Sequence, residues 1–253
     1  MRFFAAFVVF VVVGCQLPPG LGGRFAPGDF VSDARYRELV VEIDAVAGKN
    51  PGDAVYDRLR VGLDRLQDED ALLKPEGVSF EVDDDDEDAL DDADQVRDIA
   101  ELSAAHDAVI DLDFADDDAV IHLFWVDGRY EGDDGDDLVL GVSYRGDRIV
   151  MLSDNIARAC DGRPDPLLVC ERATATVLLH EMGHLFGLVN NGAPMQVDHQ
   201  DEERGAHDVD PDCIMFFGVE TSAVADLIVQ RPDDDAFFEE NCLNDLRALA
   251  AQP

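Results

Sequence analysis

The chain has 253 residues, with 57 acidic against 19 basic side chains and a formal net charge of −38. Hydrophobic residues still make up 47%, enough to bury a core, which excludes a polar, disordered acid tail. The arginines and the two lysines, Lys49 and Lys74, are scattered rather than gathered into a patch. A surface this acidic is repelled by a phosphate backbone, so nucleic acid is excluded as a partner. The remaining classes are an enzyme, a cation-binding surface protein and a structural module.

Arg2 precedes an apolar run from Phe3 to Val13, too short to span a bilayer as a helix but of the length of a signal-peptide core. The stretch Val12-Val13-Gly14-Cys15 resembles a bacterial lipobox, which implies a lipid on Cys15 and an exported chain anchored in the cell envelope, at the outer membrane or the cell surface. An ordinary secretory signal is the alternative, and both imply export. The organisation expected is a signal peptide over 1–14, a lipidated cysteine and flexible tether over 15–30 containing Pro18-Pro19-Gly20-Leu21-Gly22-Gly23, and a single folded domain over 31–253. Export also changes how Cys160, Cys170, Cys213 and Cys242 are read. An even number of cysteines in an oxidising compartment, with no C-x-x-C, predicts disulfides rather than a zinc knot. The short loop holding Pro164 and Pro166 pairs Cys160 with Cys170, and Cys213–Cys242 follows by elimination.

In chain order, alternating apolar and acidic residues predict a half-buried strand from Glu38 to Val46. Val55, Leu59, Leu63 and Leu66 fall on one face of a helix, for which Asp53 is a possible N-cap. Val78 to Val82 reads as a strand, and a second helix is expected from about Asp94 to Ala105 on Val96, Ile99 and Leu102. Ala119–Val126, Leu138–Tyr144 and Arg148–Leu152 read as strands separated by Gly/Asp turns. A third helix is expected over Glu171–Val189, then Gly/Pro/Asp-rich irregular chain, then a closing helix from about Asp235 to Ala250. The pattern is mixed α and β without an internal repeat.

Two acidic clusters interrupt it. Asp83 to Asp94 is a like-charge block expected to be a solvated loop. Glu131 to Leu138 carries the oxygen ligands and glycines of calcium loops without their spacing, and is the place where Ca²⁺ would bind if it binds at all. His106 and His122 stand apart from any ligand spacing and are read as packing or surface residues.

The third helix contains His180-Glu181-Met182-Gly183-His184, an H-E-x-x-H motif. Two histidines four apart lie on one helix face, one turn above each other, so both imidazoles reach one Zn²⁺, while Glu181 beside them can take a proton from an attacking water. The preceding turns, Ala173 to Leu179, hold only Ala, Thr, Val and Leu, as a buried helix needs.

Gly187 extends the motif to H-E-x-x-H-x-x-G-x-x-N, and here the sequence resembles the metzincin metalloproteases. In that family the glycine lets the chain turn back so that a third ligand meets the metal. Asn190 stands at that place, and a neutral amide is a poor zinc ligand. The third ligand must come from further on, where His199, His207, Glu202 and Glu203 are available. His207 is favoured, because the segment from His207 through Cys213 and Met215 resembles the archaemetzincin pattern H-C-x-x-x-x-C-x-M, with Asp208 replacing the first cysteine. His199 is the runner-up. The resemblance implies His180, His184 and His207 as zinc ligands, Glu181 as general base and Met215 as the turn beneath the metal. It also implies an α+β zincin fold: a mixed twisted sheet and active-site helix in an upper subdomain ending near residue 187, then an irregular lower subdomain over 188–253 with the Met-turn and a closing helix. Phe217 takes the place where some metzincins carry a tyrosine and cannot donate a hydrogen bond. The additional cysteine-bound zinc of archaemetzincins lacks its first cysteine and its C-x-x-C. A gluzincin-like site completed by Glu203 is the competing zincin arrangement, but Asp201 to Gly205 does not read as a helix.

The expectation is a monomeric, lipid-anchored zinc endopeptidase acting on peptide or protein. The alternatives are a non-catalytic acidic surface lipoprotein with structural zinc or calcium, and a metal-dependent hydrolase of non-protein amides.

Overall fold

The computed structural model describes residues 24–83, 96–111, 114–133, 135, 137–231 and 236–252. Cys15, the first part of the expected tether and the acidic run after Asp83 lie outside them. In chain order the elements are α1 (Pro27–Val31), β1 (Glu38–Ala45), α2 (Asp53–Asp68), β2 (Gly77–Asp83), β3 (Val96–Arg97), α3 (Ile99–Val109), β4 (Asp118–Val126), β5 (Arg129–Tyr130), β6 (Gly141–Tyr144), β7 (Arg148–Leu152), α4 (Ser153–Cys160), α5 (Pro166–Leu185), a 3₁₀ turn (Phe217–Val219), α6 (Val224–Gln230) and α7 (Glu240–Ala250).

Five strands form one sheet in the order β2-β1-β4-β7-β6, with β6 antiparallel to β7 and the other neighbours parallel. Two-residue β3 and β5 pair separately. Side chains alternate across the sheet, so β7 sends Ile149 and Met151 into the main core and Val150 and Leu152 into a second cluster with Leu102 and Val109 of α3. Helices α2 and α5 cover the first face, with α5 packed on α2, α4, β6 and α6. This is why β1 departs from the half-buried expectation. It lies inside the sheet with both faces covered, and Glu42 and Asp44 are fully buried; Glu42 takes the ring of His122 on β4 as its partner.

Several boundaries differ from the sequence expectation, each for a local reason. Gly52, not Asp53, caps α2. Helix α3 begins five residues later than expected, because Asp98 and Glu101 form a reciprocal capping box that satisfies two free amides, and Val96 belongs to β3. Helix α5 starts at Pro166, whose fixed φ suits a first helical turn, and stops at Leu185 rather than Val189. Strand β6 covers only the second half of Leu138–Tyr144, and α7 begins at Glu240 instead of Asp235. Residues 25–30, placed in the expected tether, belong to the folded body: Phe25 and Phe30 are buried, and α1 sits against α7. A disulfide joins Cys160 at the end of α4 to Cys170 in the second turn of α5. The expected Cys213–Cys242 bond is not formed; the two buried thiols stand 3.6 Å apart, and Cys242 also faces the Asp208 carboxylate at 3.6 Å.

Candidate metal centre

Helix α5 is buried from Arg172 to its end, because Ala, Thr, Val and Leu fill the turns before His180 and let sheet and helices close around it. His180 and His184 therefore emerge from a rigid, dry element. The helix ends at Gly187 with φ +81°, where the Leu188 amide donates to the Gly183 carbonyl at 3.0 Å. A side chain at Gly187 would stand 2.6 Å from the Ala193 backbone nitrogen, so glycine is required there by both conformation and space. Val189 and Asn190 continue in left-handed conformations at φ 53° and 61°. The chain thus turns away, and Asn190 donates to Gln200 at 3.1 Å, outside the histidine cluster.

The following segment loops out and returns as a small irregular ladder. Asp201 donates to the His207 carbonyl at 2.7 Å, Val209 to His199 at 3.0 Å, and Asp208 to Met215 at 2.9 Å. This returns His207 to the helix. The rings of His180 and His184 are 4.7 Å apart by centroid, His184 and His207 5.0 Å, and His180 and His207 stack at 5.3 Å. Met215 is fully buried, and a Cβ at Gly183 would collide with its sulfur, so the Met215 turn lies directly against the helix turn between the two histidines. The ring of Phe217 stands edge-on to His207 at 5.5 Å.

The outer ring nitrogens fix the inner ones. Nδ1 of His180 lies 2.6 Å from the Ile214 carbonyl, and Nδ1 of His207 lies 2.6 Å from the Arg204 carbonyl. Each Nδ1–H donates outward, which turns Nε2 inward, the orientation a metal ligand needs. His207 Nε2 and His184 Nδ1 are buried without a hydrogen-bond partner. Buried polar atoms are ordinarily paired, so the unpaired His207 Nε2, beside the Nε2 atoms of His180 and His184 that face each other at 3.1 Å, suits a cation held between the three rings. The ligand atoms of His180, His184, His207 and a fourth residue, Glu220, all lie within 4.8 Å of one another.

Glu181 is buried beside this cluster against β6, with Ser143 as a hydrogen-bonding neighbour and one carboxylate oxygen unpartnered. Burial pushes its carboxyl up to about 7; His180 opposes the shift and the Glu220 charge adds to it. Burial, with neighbouring His180 and His207, holds the His184 ring well below the usual imidazole range and therefore neutral. Burial would raise Glu220, but His180 and His207 outweigh it and keep the carboxylate ionised.

His199, the other candidate third ligand, belongs to a different group. Its Nδ1 lies 2.7 Å from Asp208 and its Nε2 3.0 Å from Asp245, both carboxylates fully buried. Glu202 and Glu203 are exposed and stand outside both clusters. In the Glu131–Leu138 loop, Asp133 is committed to the Val139 amide at 3.0 Å and the Asn155 amide at 2.9 Å, while Asp134 and Asp136 lie outside the described residues. His106 bonds the Tyr144 hydroxyl at 2.6 Å. Glu220 had no place in the sequence expectation; its one signal was an acidic side chain five residues beyond Met215 in an otherwise apolar stretch.

No protein-family model and no curated protein sequence matches the chain. Among solved structures, it is similar to a zinc-dependent peptidase from Methanocorpusculum labreanum (strain Z), at 15% sequence identity and a TM-score of 0.48, over 82% of this chain and 99% of that one.

Proposed function

We propose that this protein is a zinc-dependent endopeptidase whose centre is held by His180, His184 and His207, with Glu181 as general base. The observation that carries this reading is the convergence of three inward-facing imidazole nitrogens beside a buried, unpartnered carboxylate oxygen. Zinc, when bound, supplies Lewis-acid polarisation of a carbonyl and eases deprotonation of water. The chain's own residues do the rest. Glu181, raised toward neutrality by burial, accepts a proton from the attacking water and returns it to the leaving amine. The carbonyls of Ile214 and Arg204 fix the rings of His180 and His207, and Met215 packs beneath them. Strand β6, the sheet edge next to Glu181, supports a reading in which an extended peptide aligns by strand addition. The substrate proposed is therefore peptide or protein. The reading also includes export as a monomer and lipid anchoring at Cys15 in a bacterial envelope. No helix among the described residues is long and apolar enough to cross a membrane.

The Glu181→Ala variant tests the chemistry. It is expected to keep its zinc and to lose peptide-library cleavage by roughly 10²- to 10⁴-fold, the usual worth of a positioned general base. Full cleavage by Glu181→Ala, or cleavage untouched by chelation, would contradict the proposed mechanism.

A further inference from the structure

Glu220 ends the 3₁₀ turn Phe217–Val219, a short way beyond Met215. Its Oε2 lies 3.2 Å from His207 Nε2 and 3.7 Å from His180 Nε2, and the Nε2 atoms of His180 and His184 are 3.1 Å apart. Around a tetrahedral zinc with bonds of about 2.0–2.2 Å, neighbouring ligand atoms stand roughly 3.3–3.5 Å from one another. The observed separations bracket that edge.

Glu220 stands at ion-pair distance from His207, but His207 Nε2 makes no hydrogen bond of ordinary geometry, and its Nδ1 faces the Arg204 carbonyl. A carboxylate oxygen and an imidazole nitrogen facing each other at this distance are held by a positive charge, from a proton on the ring or from a metal ion, and the same oxygen also faces His180 Nε2, as a shared metal ligand would. We infer that Glu220 is the fourth protein ligand of the metal held by His180, His184 and His207, and that it closes the position an attacking water would need.

The backbone around Glu220 supports this placement. The Leu140 amide donates to the Glu220 carbonyl at 3.0 Å, and the Ser222 amide donates to the Leu138 carbonyl at 3.1 Å, with Thr221 bridged antiparallel to Val139. The segment Glu220–Ser222 therefore lies as a strap on the stretch leading into edge strand β6. The same three residues fill the metal's fourth position and occupy backbone groups beside the expected path of a peptide. A centre with four protein ligands is closed in the manner of structural zinc sites, and a centre with three is open for catalysis. The proposed chemistry needs that position free, so the four-ligand centre is a latent form of the enzyme.

This inference rests on the metal-centre reading, and its test separates the two. The full chain is loaded with Co²⁺ in place of zinc, as wild type, Glu220→Gln and Glu220→Ala, and azide is titrated while the visible spectrum is followed. Zinc affinity is measured by chelator competition. The wild-type spectrum is expected to be insensitive to azide. The Glu220→Ala spectrum should change on adding azide, as an exchangeable position opens. Zinc affinity should fall in that variant by at least the roughly tenfold that loss of even an outer partner costs. Glu220→Gln, nearly identical in shape, should show the same direction with smaller size, which separates loss of a ligand from loss of packing. Equal affinities and equal azide responses in wild type and Glu220→Ala would overturn the Glu220 assignment while leaving the three-histidine centre standing. A wild-type chain that binds no cobalt would remove the centre itself.

Discussion

The partner of one ring nitrogen decides the chemistry of the other. His180 and His207 each give Nδ1–H to a backbone carbonyl, which turns Nε2 inward toward the cluster. His199 is bonded through both nitrogens to the carboxylates of Asp208 and Asp245, which favours an imidazolium. Burial alone would lower its pKa, but Asp245 and Asp208 outweigh it, so the folded-state value is raised above the ordinary 6.5. The sign follows from linkage: this stabilisation is fully present below the unfolded-state value and is lost as pH rises through the higher folded-state one. The stability advantage of wild type over His199→Gln is therefore expected to be largest near pH 6 and smaller at pH 9, measured by urea unfolding of both proteins. An advantage that grew with pH would contradict the imidazolium reading. This division of roles between His199 and His207 was legible only in part. Spacing to Cys213 and Met215 favoured His207, but the carboxylate pair around His199 is made by Asp208 on the same ladder and Asp245 on α7, and no local pattern announces a contact between such distant residues.

At the level of elements, α5 was the most legible feature because its turns are apolar all round and its motif has a fixed helical spacing. Its limits were less so. The apolar pattern continues through Leu188 and Val189, yet Gly187 stops the helix by adopting a conformation other residues resist. Gly187→Ala is expected to destabilise the protein by about 2 kcal/mol or more, since left-handed strain and a backbone collision act together. Chemical denaturation measures this, and a wild-type midpoint in Gly187→Ala would contradict the turn's role. Short helices were missed for a different reason. Helices α4 and α6 have eight and seven residues, lengths that are unstable alone and depend on packing against α5. The Asp98–Glu101 capping box was readable in the sequence, but Val96, at helical spacing from Ile99 and Leu102, drew the expected start of α3 upstream.

Across the whole molecule, the charge is distributed so that neither lysine contributes a free surface cation. Lys49 bridges Asp127 and Asp154 at 3.0 Å each. Lys74 is buried, donating to the carbonyls of Asp29, Ser32 and Tyr36 at 2.7–2.8 Å, and burial lowers it to about 8. The remaining carboxylate excess stands apart from the proposed chemistry, since the three favoured ligands are imidazoles. What the sequence held least visibly is the long-range closure of the centre. Between His184 and His207 the chain has no helix or strand, so ligand spacing could not be read from periodicity. Glu220 arrives through the 3₁₀ turn and its pairing with the approach to β6. The central claim is that His180, His184 and His207 together hold one metal. Zinc content of the purified full chain and its single-histidine variants tests it most directly. The account predicts a single zinc per wild-type chain, retained by His199→Ala and lost from His180→Ala, His184→Ala and His207→Ala; zinc kept by His207→Ala but lost from His199→Ala would contradict it.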